Sequence, residues 1–223
     1  MTIKDKLQEL NNLHKSLRQA LTNGADTQFA IQTFLALHSQ LHSMQVSPLT
    51  PWSYEDFLLA GLEEAQYRLI PPGAEHSIAW VLWHLTRVED LTMNLLVAGV
   101  DQVFEREGWG AKIRSPIKHT GNGTGLEVAQ ALSSAVDIDA LRAYRVSVGI
   151  TTQEIVQALT LEAFHRKVSP ANIQRILDEG AVIQAAMDVV AYWSRRDVAG
   201  LLLMPPTRHT LVHWNEARKL LNM

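Results

Sequence analysis

The sequence predicts an all-α protein, a four-helix bundle with an extra N-terminal helix and short helices in the crossovers. Apolar residues recur at helical spacing through most of the 223 residues, and no segment shows the alternation typical of a half-buried strand. Prolines and glycines divide this pattern into segments, as at Pro48, Pro71 and Gly99. Four long helices joined by long, irregular connections are typical of a bundle that builds its sites from inward-facing side chains.

Each segment has its own boundary signals. The first repeats leucines at helical spacing over residues 3–22 and ends at Asn23-Gly24, so we predict residues 1–24 to be an extension and residues 25–223 to be the bundle domain. Residues 100–126 contain a glycine run but no strand pattern, which favours an irregular connection over a phosphate-binding loop. The other predicted helices cover residues 27–46, 54–61, 63–69, 77–98, from Asp137 or Asp139 to about 159, 170–179, 182–203 and 207–221.

Composition excludes several classes of function. The formal net charge is −3, from 20 basic and 23 acidic residues without a basic block, so neither nucleic acid nor a membrane surface is an expected partner. The chain contains no cysteine, which removes disulfides, thiolate ligands and a cysteine nucleophile. No segment is apolar over the length needed to span a bilayer, so we expect a soluble cytoplasmic protein.

Two histidines near the C-terminus carry most of the functional prediction. His209 and His213 lie four residues apart in a helical segment, which places both imidazoles on one face. A third histidine, His84, lies inside the strongest apolar helix pattern of the chain. Three neutral imidazoles around an ion with one open position describe a catalytic metal site. The competing interpretation is that His84 is a core histidine bonded to a carbonyl and that the pair is a chance spacing.

Glu216 follows His213 by three residues and projects to the same side of the helix. We predict that it orients a ligand imidazole or acts as a general base. The alternative is a solvent-facing carboxylate that pairs with Arg218, Lys219 or the preceding turn.

A second pair, His38 and His42, lies near an apolar stripe in the second helix. These residues could line the same pocket, replace one of the three ligands or lie at a helix–helix contact, and we favour a pocket wall or a helix contact. Trp80 and Trp214 flank the predicted ligands and are expected to be core or pocket-wall residues. The remaining histidines lie in loop or exposed contexts and carry no functional prediction: His14, His76, His119 and His165.

Two segments resemble the DinB-like superfamily of metal-dependent enzymes. They are residues 77–85, SIAWVLWHL, with Arg87, Glu89 and Asp90 after them, and residues 209–217, HTLVHWNEA. The resemblance covers about residue 26 to the C-terminus. It implies a four-helix bundle, often dimeric, with a divalent metal such as nickel or zinc, and by position the ligands are His84, His209 and His213. Characterised relatives use the metal to activate a low-molecular-weight thiol.

One feature departs from the pattern of the family. Pro205-Pro206 precede the histidine pair where relatives are continuously helical, and prolines remove backbone donors and kink a helix. Such a kink could re-aim His209 and His213.

The combined prediction is a metal-dependent enzyme. Its divalent ion, nickel or zinc, would activate a thiol or water for transferase or hydrolase chemistry on a small molecule. Sequence does not choose between the two metals, and a homodimer is an option that no sequence feature decides. The alternative from another class is a non-catalytic helical protein that binds a small molecule or a partner, with structural histidines.

Overall fold

The structure, a computed structural model, describes residues 2–23, 26–48 and 50–222. The predicted all-α class is confirmed, since the only strand-like feature of these residues is an isolated bridge between Lys167 and Asp197. The α-helices are α1 (Ile3–Asn23), α2 (Thr27–Leu41), α3 (Tyr54–Leu59), α4 (Glu64–Arg68), α5 (Ile78–Asp90), α6 (Val103–Arg106), α7 (Trp109–Ile113), α8 (Leu126–Ala135), α9 (Ile138–Gln157), α10 (Leu161–Phe164), α11 (Pro170–Asp178), α12 (Met187–Ser194), α13 (Val198–Leu202) and α14 (Thr210–Leu221). Two π-helical segments, Leu91–Ala98 and Met204–His209, and a short 3₁₀ turn, Gln184–Ala186, complete the helical structure.

The bundle is organised around α5, of which every residue is buried. This helix packs against α9 on one side and α14 on another, while α2 contacts α9 and the π-helical segment before α14. The N-terminal helix α1 lies along α2 and buries Leu10, Leu17 and Leu21 in the same core. A helix that is covered on all faces lies at the centre of a bundle. Side chains of α5 can therefore contact side chains of the helices packed around it.

Capping residues fix the helices that carry the site. The hydroxyl of Ser77 accepts a hydrogen bond from the backbone N–H of Trp80 and so sets the first turn of α5. Asp137 caps α9 by accepting from the N–H of Ala140. Gly99 ends the π-helical segment Leu91–Ala98 with a positive φ of 73°. The predicted turn at Asn23-Gly24 includes Gly24, which lies outside the described residues.

Several predicted boundaries were wrong. The second helix ends at Leu41 instead of residue 46, and α8 was not predicted because Gly125 provides no side-chain cap. The single helix predicted over residues 182–203 is divided into α12 and α13, because Asp197 starts a new helix by accepting from the N–H of Gly200. None of the helices in the described ranges combines the length and the apolar character needed to cross a bilayer.

The predicted break at Pro205-Pro206 takes the form of the π-helical segment Met204–His209, which leads directly into α14. Pro206 has no N–H for the carbonyl of Leu202, and the hydroxyl of Thr207 donates to that carbonyl instead, at 2.8 Å. In the same way Thr210 donates to the carbonyl of Pro205. The wider π-helical turn therefore accommodates the prolines, and the chain stays helical from His209 into α14, which contains His213.

Candidate metal centre

Three predicted ligands from opposite ends of the chain come together between α5 and α14. His84, His209 and His213 each offer a nitrogen, and these atoms all lie within 4.8 Å of one another. The Nε2 atoms of His84 and His209 are 3.1 Å apart. Two nitrogens bound to one tetrahedral zinc ion at about 2.0–2.1 Å are themselves about 3.4 Å apart, so this separation suits a shared ion.

The surroundings of His84 fix which of its nitrogens is free. Its Nδ1 lies 2.8 Å from the carbonyl oxygen of Thr120, and because a carbonyl only accepts, Nδ1 carries the proton. The lone pair of the neutral ring is then on Nε2, which faces His209. The structure thus contains the carbonyl partner that the competing interpretation expects for a core histidine, and it also directs the free nitrogen toward the other two residues.

His213 is oriented by Glu216 in the same manner. The Nδ1 atom of His213 lies 2.7 Å from Oε2 of Glu216, which leaves Nε2 of His213 free. The other oxygen, Oε1, accepts from Nδ1 of His76 at 2.7 Å. Glu216 therefore pairs with neither Arg218 nor Lys219, while its partner His213 does lie in the preceding turn of α14. A carboxylate that fixes the tautomer of an imidazole is a common partner of metal-binding histidines.

His209 stands at the boundary between this cluster and a cavity. Its Nδ1 is buried and makes no hydrogen bond within the described part of the chain. The cavity beside it has a volume of about 290 Å³ and is largely apolar. Its lining residues are Val88, Asn122, Asp188, Val189, Tyr192, Trp193, Met204, Pro205 and His209. A larger cavity of about 430 Å³ is lined by charged residues around the start of α9 and by no described histidine.

Charge also favours neutral imidazoles at this site. Burial, together with the neighbouring His213, lowers the pKa of His84 to about 3. Burial also lowers the pKa of His209 well below its usual value, and the adjacent imidazoles of His84 and His213 act in the same direction. Since only a neutral imidazole offers a lone pair to a metal, these shifts keep His84 and His209 in the binding form near neutral pH.

Glu216 is ionised in this setting. Partial burial alone would raise its pKa, but hydrogen bonds from His213 and His76 outweigh that effect and lower the pKa to about 2. Both oxygens are engaged by imidazoles. The geometry therefore favours an orienting role for Glu216 over that of a general base.

The second histidine pair forms a separate cluster with a carboxylate that sequence reasoning left unassigned. His38 Nε2 lies 2.9 Å from Oε1 of Glu89, and His42 Nε2 lies 2.8 Å from Oε2. All three side chains are fully buried, and Arg145, which pairs with Glu55, approaches Glu89 at 4.0 Å. The residue types and separations of this cluster are also compatible with metal binding.

Ring orientation distinguishes the two clusters. The rings of His38 and His42 stack with centroids 4.1 Å apart and planes inclined by only 25°. Because an imidazole lone pair lies in its ring plane, nearly parallel rings direct their nitrogens at separate oxygens of Glu89 and not at one point. In the first cluster the planes are inclined by 56° to 72°, which allows the three nitrogens to face one point. We therefore interpret the second cluster as a hydrogen-bonded pair around one carboxylate.

Electrostatics support that interpretation. Burial opposes the ionised form of Glu89, but the adjacent His42 and His38 outweigh it and hold its pKa well below the usual value. Burial, with the charge of Arg145, lowers the pKa of His42 to about 3. A neutral His42 that donates to an ionised carboxylate agrees with the short contact between them.

The two predicted tryptophans occupy different positions. Trp80 stacks on the ring of His84, with centroids 4.7 Å apart and planes inclined by 13°. Trp214 is buried and donates its indole N–H to the carbonyl of Leu41, which ties α14 to the end of α2. Of the two, Trp80 contacts the candidate metal ligands directly.

Sequence reasoning missed two residues at the centre. His76 precedes the cap of α5 and was set aside as a loop residue, yet it bonds Glu216 and stacks on Trp80. The carbonyl of Thr120, which holds His84, comes from the glycine-rich connection and carries no side-chain signal. A helical projection extended one turn upstream would have aligned His76 with Trp80 and His84, since the three are four residues apart.

Comparison with protein-family models assigns most of the chain to a known family. The model of the DinB superfamily matches residues 52–202, which is more than half of the chain. The matched range includes His84 and ends before the pair His209 and His213. No curated protein gives a match. The chain belongs to the DinB superfamily.

Proposed function

We propose that this member of the DinB superfamily is a metal-dependent enzyme whose single divalent ion is held by His84, His209 and His213. The observation that carries the proposal is the convergence of three inclined imidazoles, of which two have the outer nitrogen fixed by an acceptor. A set of nitrogen ligands and no thiolate suits nickel or zinc. Three protein ligands leave a position open for a reactant, as in catalytic sites.

A divalent ion held by these residues would supply Lewis-acid activation of a thiol or water, lowering its pKa toward neutral. The chain's own residues hold the ligands ready for this chemistry. The carbonyl of Thr120 keeps the proton of His84 on Nδ1, and Glu216 does the same for His213. Because these partners set the tautomers of His84 and His213 in advance, neither imidazole has to move its proton when an ion binds.

The substrate binds in the cavity beside His209. Trp193, Val189 and Pro205 give this cavity an apolar wall, and Asn122 and Asp188 add polar groups. Its volume of about 290 Å³ suits a small molecule. The reaction is transferase chemistry with a low-molecular-weight thiol, or hydrolysis with water in its place.

Elemental analysis tests the metal centre. The protein is purified without an affinity tag or chelator, beside His84→Ala and the matched control His165→Ala, which removes an exposed histidine outside both clusters. We expect about one nickel or zinc ion per chain in the wild type and in His165→Ala, and loss of the ion in His84→Ala. A wild-type protein that carries no metal and takes up none on titration would contradict the proposal.

Thermal unfolding gives an independent readout. A metal that binds only the folded chain stabilises it by mass action, by about 2.7 kcal/mol at a concentration one hundred times the Kd. We expect this increase in the wild type and its absence in His84→Ala. A non-catalytic binding protein with structural histidines predicts no increase in either.

A substrate screen separates the two reactions. Electrophiles, esters and amides are incubated with the metal-loaded protein, with and without a small thiol. Turnover that requires the thiol supports the transferase, while turnover in water alone supports the hydrolase.

A further inference from the structure

His76 lies directly before the capping residue of α5, beside the candidate centre. Its ring stacks on Trp80 with centroids 3.5 Å apart and planes inclined by 4°. Trp80 stacks in turn on His84, with centroids 4.7 Å apart. Three rings at intervals of four residues therefore form a column that ends on one of the three histidines of the centre.

The same imidazole also reaches the opposite helix. Nδ1 of His76 lies 2.7 Å from Oε1 of Glu216, and Oε2 of that carboxylate lies 2.7 Å from Nδ1 of His213. An ionised carboxylate only accepts, so both imidazoles donate to it and hold it from two sides. Glu216 is thus fixed by His76 as much as by His213.

We propose that His76 is a positioning residue for the metal centre. It holds His213 through Glu216 on α14, and it supports His84 through Trp80 on α5. The inference rests on the proposed function, since it assigns His76 to a centre formed by the three histidines.

The two contacts of His76 differ in kind, so they can be removed separately. His76→Phe keeps a ring over Trp80 and removes the N–H donor to Glu216. His76→Asn keeps a donor nitrogen at similar reach and removes the stacked ring. His76→Ala removes both contacts. His165→Ala again provides the control, because His165 is exposed and contacts neither cluster.

Cobalt(II) is the probe for the test. Metal-free protein is titrated with cobalt against a chelator of known affinity, and the visible absorption bands of the bound ion report its coordination geometry. Partners that orient metal-binding imidazoles contribute roughly 10–100-fold to metal affinity, so we expect His76→Ala to raise the Kd about tenfold or more and to alter the bands. His76→Asn and His76→Phe are expected to restore part of the affinity.

The outcomes separate this inference from the proposed function. If His76→Ala binds cobalt with the wild-type Kd and spectrum, the positioning role is overturned and the metal centre stands. If the wild type binds no cobalt, nickel or zinc, the proposed function fails and the inference with it. The side chain of His76 is 21% exposed, and the residue lies outside a helix, so we expect metal-free His76→Ala to fold. Should it not fold, His76→Phe and His76→Asn decide the question by the same measurement.

Discussion

The Nε2 atoms of His84 and His209 lie 3.1 Å apart although the residues are separated by 125 positions in the chain. This contact joins the central helix α5 to the π-helical segment that leads into α14. His213 follows one turn later on the same face, so the fold that brings His209 to His84 brings His213 as well. The proposed metal centre depends on this one junction between helices.

Replacement of Glu216 by glutamine tests the orientation of His213. The amide keeps the size of the side chain but offers an oxygen to only one of the two imidazoles, His213 or His76, and presents an N–H₂ group to the other. We expect Glu216→Gln to weaken metal binding by roughly 10–100-fold, measured by chelator competition. Glu162→Gln, which changes an exposed carboxylate of α10, serves as the control. Equal affinities in the two variants would remove Glu216 from the centre.

Loss of Glu89 tests the interpretation of the second cluster. Glu89→Ala leaves His38 and His42 without their acceptor and leaves Arg145 less well compensated in the core. Removing one partner of a buried charged network costs about 3–5 kcal/mol, which denaturant unfolding measures. We also expect Glu89→Ala to keep one metal ion per chain. A fall from two ions to one would show that the second cluster binds metal.

Gly149 tests the packing of α9 against the end of α2. A Cβ at this position would lie 2.8 Å from Nδ1 of His42 and 2.8 Å from Cγ2 of Val46. Overpacking of this kind costs about 1–3 kcal/mol and exceeds the roughly 0.5–1 kcal/mol that alanine gains in a helix. We therefore expect Gly149→Ala to lower the free energy of unfolding. Gly125→Ala, where a Cβ meets no atom within 4 Å, is expected to change it less.

A larger side chain in the cavity tests whether the cavity leads to the metal. Val189→Trp is expected to fill space beside His209 and to weaken binding of a small thiol to the cobalt-loaded protein about tenfold, a loss of about 1.4 kcal/mol. The metal content should not change. Val100→Trp, at an exposed position outside the cavity, is the control. Thiol binding that is the same in both variants would contradict the cavity as the reactant site.

Sequence periodicity predicted most of the fold because the long helices bury regular apolar faces. The periodicity did not predict a helix boundary where a single polar residue caps a new helix. Asp197 divides the apolar run 182–203 by capping a new helix. The apolar pattern fitted a polar residue on the outer face of one long helix equally well. Likewise, spacing could not show that the Pro205-Pro206 break would become a π-helical segment, because the hydroxyls that satisfy it lie on Thr207 and Thr210.

The site was predictable where spacing alone places residues together. His209 and His213 share a helix face, and the structure brings His84 to them. Glu89 was not predictable as a partner of His38 and His42, because these contacts exist only after the helices pack. The spacing of His76 aligns it with Trp80 and His84, but its hydrogen bond to Glu216 on α14 also exists only after packing. The division into residues 1–24 and 25–223, a cytoplasmic location and a homodimer stay predictions.

The central claim is that His84, His209 and His213 bind one divalent ion. The chain offers a matched test, since each cluster contains two histidines four residues apart. Metal-free wild type, His209→Ala/His213→Ala and His38→Ala/His42→Ala are titrated with zinc by calorimetry. The account predicts one ion per chain in the wild type and in His38→Ala/His42→Ala, and none in His209→Ala/His213→Ala. Binding that survives in His209→Ala/His213→Ala and is lost in His38→Ala/His42→Ala would contradict it.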